Sequence, residues 1–516
     1  MDKRLPKEIT ENKWIRLALR LIPFASFLSV LWVKTSLDND TYWIIKTGEY
    51  ICKNGIPTKD FLTIHSNMDL VVQQWLSDII YYKAYDLLGV IGPLLIVMLA
   101  MLVFAGLMYK LCMMMTNNPI RSSIASLLTC ASMSSFFVTR PQVFTYCIIL
   151  IELICLEKYI RDGKIKHLIA LPIMSVAVVN LHASMWTMLF IFLLPYLANA
   201  LPIKIKGKSI SCCKILPLII TALIMIPCGM ITPYGIKGLS FIFTTSIGDK
   251  VNSSINELKP VVLSKSPGDF FMFIIPVLII ACYLIHKSGK TTPRFVLLSI
   301  GTGAMMMVYR KLGAYFMIAA VPAVMYYLND IDIIGYIIKM NEKAKAKPKK
   351  NEKNNIPLLV TLLCILVFGI LIYSFVGFGI DVNEFVKEGG ANESLDEVIY
   401  AMDADIKENP VDELRLFNGF NSGAYLEFKG YKTYIDPRAD SFVEEANNDF
   451  DYLTEYFDVK TGNVYFKQVF DKYDFNYAIV DLNTEVPLYS QISNNDDYTL
   501  IFESEDYALY RVVNRI

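Results

Sequence analysis

Two short runs, Asp38-Asn39-Asp40-Thr41-Tyr42-Trp43 and Gln73-Gln74-Trp75-Leu76, lie near the two ends of a polar stretch, Lys34–Gly89, that sits between two apolar ones. Leu17–Val33 precedes it and Val90–Met114 follows it, each close to the roughly 20 mainly apolar residues a helix needs to cross hydrocarbon. Composition agrees with a membrane setting: 54% of the 516 residues are hydrophobic and only 19% charged, with mean hydropathy +0.41. That balance excludes an ordinary soluble enzyme, so the class is a polytopic α-helical membrane protein. The net charge of +0 and the lack of a basic-aromatic pattern exclude nucleic acid as a partner.

Working outward, the further apolar runs are Ile120–Val138, Val143–Glu157, Leu168–Asn180, Met185–Leu201, Ile215–Ile231, Phe270–Ile285, Phe295–Val308, Ala314–Leu328 and Ile356–Val376. The expectation is about eleven spans. Leu17–Val33 lacks a small-residue cleavage site and reads as a signal anchor after a cytoplasmic segment, 1–16. Basic residues before it, at Lys158–Lys166, Lys204–Lys214, Lys287–Arg294 and Lys339–Lys353, mark cytoplasmic loops. Orientation is then consistent only if Ser77–Leu88 lies in the membrane interface rather than crossing it, its apolar residues facing lipid. The stretch 34–89 is thereby an outer loop, 90–376 a multi-span region with a basic cytoplasmic loop at 339–355, and 381–516 an outside domain.

That last region alternates short helical and strand patterns. Leu395–Ile406, Val443–Phe457 and Lys467–Tyr473 read as helices. Leu414–Asn418, Lys432–Ile435, Tyr477–Val480, Thr499–Glu503 and Ala508–Val512 read as strands, giving an α/β domain of roughly 130 residues. It has no cysteine, so no disulfide holds it. Most of the ten cysteines of the chain lie in apolar runs, and Cys212-Cys213 has no second pair to form a zinc site.

Unusual polar residues at span ends fall on the predicted outer face: Asp38, Asp40, His65, Gln74, Arg140-Pro141-Gln142, Asn180-Leu181-His182, Pro233-Tyr234-Gly235, Glu257 and Arg310-Lys311. Ionisable groups beside hydrocarbon are costly, and several loops converging on one face suggest one site. Asp38 and Asp40 have the chemistry of a general base or of a ligand pair for Mg²⁺ or Mn²⁺. The structural alternative is a helix cap made by Asp40. Arg140, Arg310 and Lys311 are candidate binders of an anion, with headgroup snorkelling as the alternative. His182 could hydrogen-bond a phosphate or serve as a structural partner, and Glu257 could be a second carboxylate or merely solvated. Trp43 is expected at interface depth. No charged residue is expected near the middle of a span, and no inverted repeat is visible, which argues against a coupled transporter.

Asp38–Trp43 with Gly48-Glu49-Tyr50-Ile51 resembles the Asp-x-Asp-x-x-Trp…Gly-x-x-Ile opening of a bacterial family of uncharacterised polytopic proteins related to GT-C glycosyltransferases. Gln74-Trp75-Leu76 is similar to its Glu-Trp-Leu element, with Gln74 in place of the acid. Arg140-Pro141-Gln142, Asn180–Ser184, Pro233-Tyr234-Gly235 and Asn418–Ser441 match further signatures in order. The resemblance implies a GT-C-like enzyme of the bacterial plasma membrane. It would transfer a hexosyl or pentosyl group, with inversion, from a polyprenyl-phosphate donor to an envelope glycan or protein acceptor. Asp38 or Asp40 would be the base. Trp43, His65, Gln74, Trp75, Arg140, Gln142, His182, Tyr234, Glu257, Arg310 and Lys311 would surround donor and lipid phosphate, with Tyr425, Asp436, Arg438 and Asp440 on the acceptor side. The Trp-Trp-Asp-Tyr-Gly region of oligosaccharyltransferases has only a faint counterpart in Phe417–Gly423, which lacks both tryptophans and the acid. The alternative function is a non-catalytic carrier, flippase-like, or an assembly protein for envelope polysaccharide.

Overall fold

The computed structural model describes residues 22–202, 211–244, 270–289, 292–329 and 374–513, together with a hairpin pairing Lys204–Ile205 with Lys208–Ser209, and Ile331. Glu257, the basic loop at 339–355 and most of Ile356–Val376 lie outside the described residues, as does the N-terminal segment.

After a 3₁₀ winding at Ile22–Trp32, helix α1 (Asn39–Asn54) begins at a cap in which the Asp38 carboxylate accepts from Asp40 N at 3.2 Å. The cap residue is therefore Asp38, not Asp40. Gly55, at φ 87°, ends α1 by returning its N–H to Ile51 O, a conformation that costs glycine nothing. α2 (Trp75–Leu88) lies against α1, and Gly48 makes the close approach possible: a Cβ there would stand 2.1 Å from Asp78 O. Fourteen residues rise only about 21 Å. Ser77, Asp78 and Tyr81 of α2 are buried against protein, while Leu87 and Leu88 at its end stand exposed.

The membrane part continues through α3 (Ile91–Thr116), α4 (Pro119–Met133), α5 (Gln142–Asp162), α6 (Ala170–Leu181), α7 (Thr187–Ala200), α8 (Ile215–Cys228), α9 (Gly235–Thr244), α10 (Phe270–Ser288), α11 (Pro293–Val308) and α12 (Gly313–Leu328). Among the described residues three apolar segments, Ile91–Thr116, Ala183–Ala200 and Arg310–Leu328, are long and apolar enough to cross a membrane by length and composition. Ile165–Leu181, Ile215–Cys228, Gly235–Thr244 and Pro293–Val308 are shorter. Large apolar side chains stand exposed along α3 (Leu95, Leu99, Val103) and α8 (Leu216, Ile220, Leu223, Ile224), a surface that suits lipid and not water. One expectation fails: Glu152 sits in the middle of α5, fully buried, with neither carboxyl oxygen hydrogen-bonded. Its apolar flanks hid it in the sequence. Farther along α5, Glu157 accepts two hydrogen bonds from Arg294 of α11 and one from Tyr196 of α7, pinning three helices together.

A helix at 374–388 leads into the C-terminal part: α13 (Glu393–Glu408), β1 (Leu416–Asn418), α14 (Phe420–Lys429), α15 (Tyr452–Thr461), α16 (Phe466–Tyr473), β2 (Tyr477–Asp481), α17 (Val486–Ser493), β3 (Tyr498–Glu503) and β4 (Tyr507–Val512). The sheet order is β1-β2-β4-β3, with β1 and β2 parallel and the rest antiparallel. Every residue of β2 is buried, as a strand covered on both faces requires. Lys432–Ile435 is not a sheet strand; its pairing is an isolated parallel bridge between Thr433 and Thr63 of the first loop. The helix expected over Val443–Phe457 is interrupted by Asn448, at φ 54°.

That bridge is one of several joins. Tyr42 of α1 packs in the same apolar cluster as Leu395, Tyr425 and Leu509, and its hydroxyl donates to Gly390 O at 2.8 Å. Met68 lies in the cluster around Phe417, Tyr434 and Phe470. The stretch 34–89 thus shares cores with the C-terminal part.

Candidate functional site

The site begins with how the start of α1 is held. Thr139, in the turn before α5, takes the α1 terminus from two sides. Its hydroxyl accepts from Asp38 N at 2.8 Å, and its carbonyl accepts from the Thr41 hydroxyl at 2.8 Å. Arg140 follows directly, so the guanidinium is delivered to the carboxylates: Nη2 lies 2.6 Å from Asp40 Oδ2 and Nε 3.8 Å from Asp38 Oδ1. Tyr81 of α2 donates to Arg140 O at 3.0 Å, fixing the backbone beneath.

A cavity of about 680 Å³ opens over this group. Asp38, Asp40, Trp43 and Thr47 line it from α1, Leu70–Gln74 from the segment that turns into α2, and Arg140, Gln142 and Tyr146 from the start of α5. His182, Arg310, Lys311 and Tyr315 come from later span ends, and Pro437–Ser441 from the C-terminal part. Segments as far apart in sequence as 38 and 440 therefore meet in one polar chamber.

His182 shares a hydrogen bond of 2.8 Å with Thr145, and burial pushes its imidazole down to about 3, with Arg140 and Lys311 adding to the effect. It is neutral at physiological pH and can pair with a neutral donor or acceptor but adds no charge. Burial raises the Asp440 carboxyl, opposed by the charge of Lys311. Lys311 therefore lies electrically between the α5 side of the chamber and the C-terminal part. A divalent cation does not fit between Asp38 and Asp40, because Arg140 already serves both carboxylates. Among the described residues no group of three or more His, Cys, Asp or Glu side chains could hold a metal.

Several expected site residues lie elsewhere. His65 is buried in the C-terminal core, stacked 3.7 Å from Tyr452 and hydrogen-bonded to Tyr434 O at 2.8 Å. Trp75 donates to Asn180 Oδ1, and the Tyr234 hydroxyl donates to Pro57 O. Tyr425 donates to Asp396 Oδ2. Asp436 is consumed by Arg438, whose Nε donates to both of its oxygens and whose Nη2 donates to Oδ2. None of these five lines the chamber; each was chosen for being polar near a predicted span end or signature, a criterion that buried structural partners also meet. Arg438, Asp440, Gln74 and Gln142 do line it. The sequence reading missed Thr47, Gln73 and Tyr315. Thr47 carried a signal, since it falls four residues after Trp43 on the same helix face.

The fold is shared with solved structures of an oligosaccharyltransferase. The chain is similar to the oligosaccharyltransferase AglB of Archaeoglobus fulgidus in complex with an inhibitory peptide and a dolichol-phosphate, with 12% identity and a TM-score of 0.52 over 90% of this chain and 69% of that one. The apo form of the Archaeoglobus fulgidus oligosaccharyltransferase gives 14% identity and a TM-score of 0.50 over 92% and 70%. ArnT from Cupriavidus metallidurans bound to undecaprenyl phosphate gives 12% and 0.49 over 96% and 97%. Neither a family model nor a curated protein matches the sequence.

Proposed function

We propose that this protein is a membrane glycosyltransferase that takes a sugar from a polyprenyl-phosphate donor and passes it to an envelope acceptor on the outer face of a bacterial plasma membrane. About eleven spans, with a cytoplasmic N-terminus and the C-terminal domain outside, would give this arrangement. The observation that carries the reading is the ion pair of Arg140 with Asp40, in a chamber that also holds Arg310 and Lys311. An acid beside an anion binder is what transfer from a phosphate requires. The AglB likeness supports the fold, and the dolichol-phosphate in that complex is consistent with a lipid-phosphate donor.

In the proposed step the acceptor O–H or N–H gives its proton to a carboxylate and its lone pair attacks the anomeric carbon. The bond from that carbon to the phosphate oxygen breaks, and the lipid phosphate leaves with the electron pair, stabilised by the guanidinium and ammonium groups. Asp40 is the better base. An Asp38 oxygen is engaged in capping α1, whereas Asp40 shares its helix face with Trp43 and Thr47 inside the chamber. Because Arg140 holds Asp40 in the resting state, an arriving phosphate would compete for the guanidinium and release the carboxylate. Pro437–Ser441 would close the acceptor side.

The test is sugar release from a panel of polyprenyl-phosphate sugars by the full chain in nanodiscs. Asp40→Asn should lower kcat about 10²- to 10⁴-fold, the usual worth of a general base. Asp38→Asn, which keeps an equally good helix cap, should leave turnover within a fewfold of wild type, while Asp38→Ala should cost mainly stability, about 1 kcal/mol of helix capping. Full turnover by Asp40→Asn would refute the assignment. Equal donor binding by wild type and Asp40→Asn, with turnover by neither, would favour the carrier reading.

A further inference from the structure

The loop that leads into α8 carries two adjacent cysteines. Cys212 and Cys213 are both half-buried, and their sulfurs lie 3.6 Å apart. The loop is stitched to the ends of two helices. Cys212 N donates to Asn199 O at 3.0 Å, the Ser211 hydroxyl to Ala200 O at 3.1 Å, and the Tyr159 hydroxyl to Lys214 O at 2.9 Å. Asn199 also accepts from Arg294 through Oδ1 at 3.3 Å, so the pair is held beside the buried Arg294–Glu157 ion pair. With two sulfurs in contact, one can donate its S–H to the other and favour loss of the second proton. The Cys213 contact lowers the Cys212 thiol against the opposing effect of burial, and the Arg294 charge adds more than Glu157 takes away. The same contact raises the Cys213 thiol. A partly exposed sulfur next to a fixed cation is the setting in which cysteines react as thiolates.

We propose that Cys212 is a modification site, the nucleophile toward low-molecular-weight disulfides, and that Cys213 activates it by donating its S–H. In this step the Cys212 thiolate attacks one sulfur of the disulfide. A bond forms between the two sulfurs, the original S–S bond breaks, and the far sulfur leaves as a thiolate with the electron pair. The disulfide supplies the oxidising equivalent, and no other oxidant is needed. Cys213 is poorly placed to expel the added group. Cα atoms joined by a trans peptide stand about 3.8 Å apart, short of the roughly 4.4 Å at which disulfides usually begin. Closing a Cys212–Cys213 ring is therefore strained, and the mixed disulfide persists. The orientation proposed above puts this loop in the cytoplasm, where thiols stay reduced until such an oxidant arrives. Neither cysteine lines the chamber, so the site stands whatever the chamber transfers.

The experiment exposes the full chain in nanodiscs to oxidised glutathione at pH 7, quenches with acid at intervals, and maps the added mass to each cysteine by peptide mass spectrometry. Cys52 is the internal standard, because it is more exposed than either member of the pair. In wild type Cys212 should gain the adduct several times faster than Cys52, Cys213 should stay unmodified, and dithiothreitol should remove the added mass. Cys213→Ala, which removes the donor, should slow addition at Cys212 severalfold, and Cys213→Ser, which keeps a donor, should slow it less. A Cys212 rate no greater than that of Cys52 would overturn the proposal without needing any variant. So would a rate that Cys213→Ala leaves unchanged, or addition at Cys213 in place of Cys212.

Discussion

Arg438 offers the sharpest test of how the first loop and the C-terminal part are joined. Its side chain is 6% exposed. Nη1 lies 2.7 Å from Asp60 Oδ1 in the first loop, while Nε and Nη2 lie 3.0 and 2.5 Å from Asp436 Oδ2. Burial works to raise the Asp60 carboxyl, but the charge and hydrogen bonds of Arg438 outweigh it and hold the group below the usual carboxylate range. Arg438→Met removes the cation and strands two buried carboxylates, a loss that typically costs about 3–5 kcal/mol. At about 2–4 °C per kcal/mol for a unit of this size, the apparent melting temperature should fall by about 10 °C. The pH dependence also reverses. In the native protein the Asp60 contribution is present above its unfolded pKa and lost as pH falls through the lower folded value. In the variant burial is left to raise the Asp60 carboxyl unopposed by the guanidinium, so the protein is relatively most stable in acid and loses stability as pH rises. Melting of the full chain in nanodiscs, followed by tryptophan fluorescence at pH 5 and pH 8, measures both effects. The triple variant D60N/D436N/R438M should recover most of the loss, since replacing all partners is far cheaper than orphaning them. A fall below about 2 °C, or an equal fall at both pH values, would refute the claim that these charges are buried and mutually dependent.

Gly48→Ala should drive a methyl into Asp78 O, where a Cβ would stand 2.1 Å away, and force α1 from α2, lowering stability by about 1–3 kcal/mol or more. Gly301→Ala, with nothing within 4 Å, should be neutral or stabilising in the same melting assay. Glu485 is fully buried, and burial raises its carboxyl to about 7 although Tyr456 and Asp481 N donate to it. Its contribution is complete below about pH 4.5 and is lost as pH rises through about 7, so Glu485→Gln should flatten the stability profile there by about 3 kcal/mol. An unchanged profile between pH 5 and 8 would refute this.

What could be read from sequence follows the range of the forces involved. The apolar runs from Val90–Met114 to Ala314–Leu328, the four sheet strands and the α13 helix are local patterns, and their helices and strands fall within about five residues of the expected bounds. The interruption at Asn448 and the helix α14 were not legible. Phe420–Lys429 carries Asn, Ser and Gly, poor helix formers, and is helical because tertiary packing buries it from Ser422 to Glu427. Gly423 is there so that Ile435 O can approach to where a Cβ would be 2.1 Å away. The chamber was half legible. Asp38, Asp40, Arg140, Arg310 and Lys311 announce themselves by charge near predicted span ends, but whether a polar residue faces the chamber or a core depends on partners far along the chain. His65 illustrates this, since Tyr434 and Tyr452 decide its place.

The same long-range joins bear on how the site could work. The helix that carries Asp40 is gripped at Tyr42 by Gly390 O and at Asn39, whose amide donates to Asn421 O at 2.9 Å. Both acceptors belong to the C-terminal part, and Tyr42 also packs edge-on against Tyr425, 4.9 Å between ring centres. On the other side α1 is fixed to Thr139, immediately before Arg140. The acid and the anion binder therefore belong to one frame, while Pro437–Ser441 belongs to the body that holds α1 from outside. A shift of the C-terminal part, as the proposed acceptor entry would need, must either carry α1 with it, changing the Asp40–Arg140 distance, or break the Tyr42 and Asn39 contacts first. Under the proposed function, acceptor entry and the state of the base would be coupled in this way through two hydrogen bonds and the packing of Tyr42 on Tyr425 and Phe428, without any contact between acceptor and base.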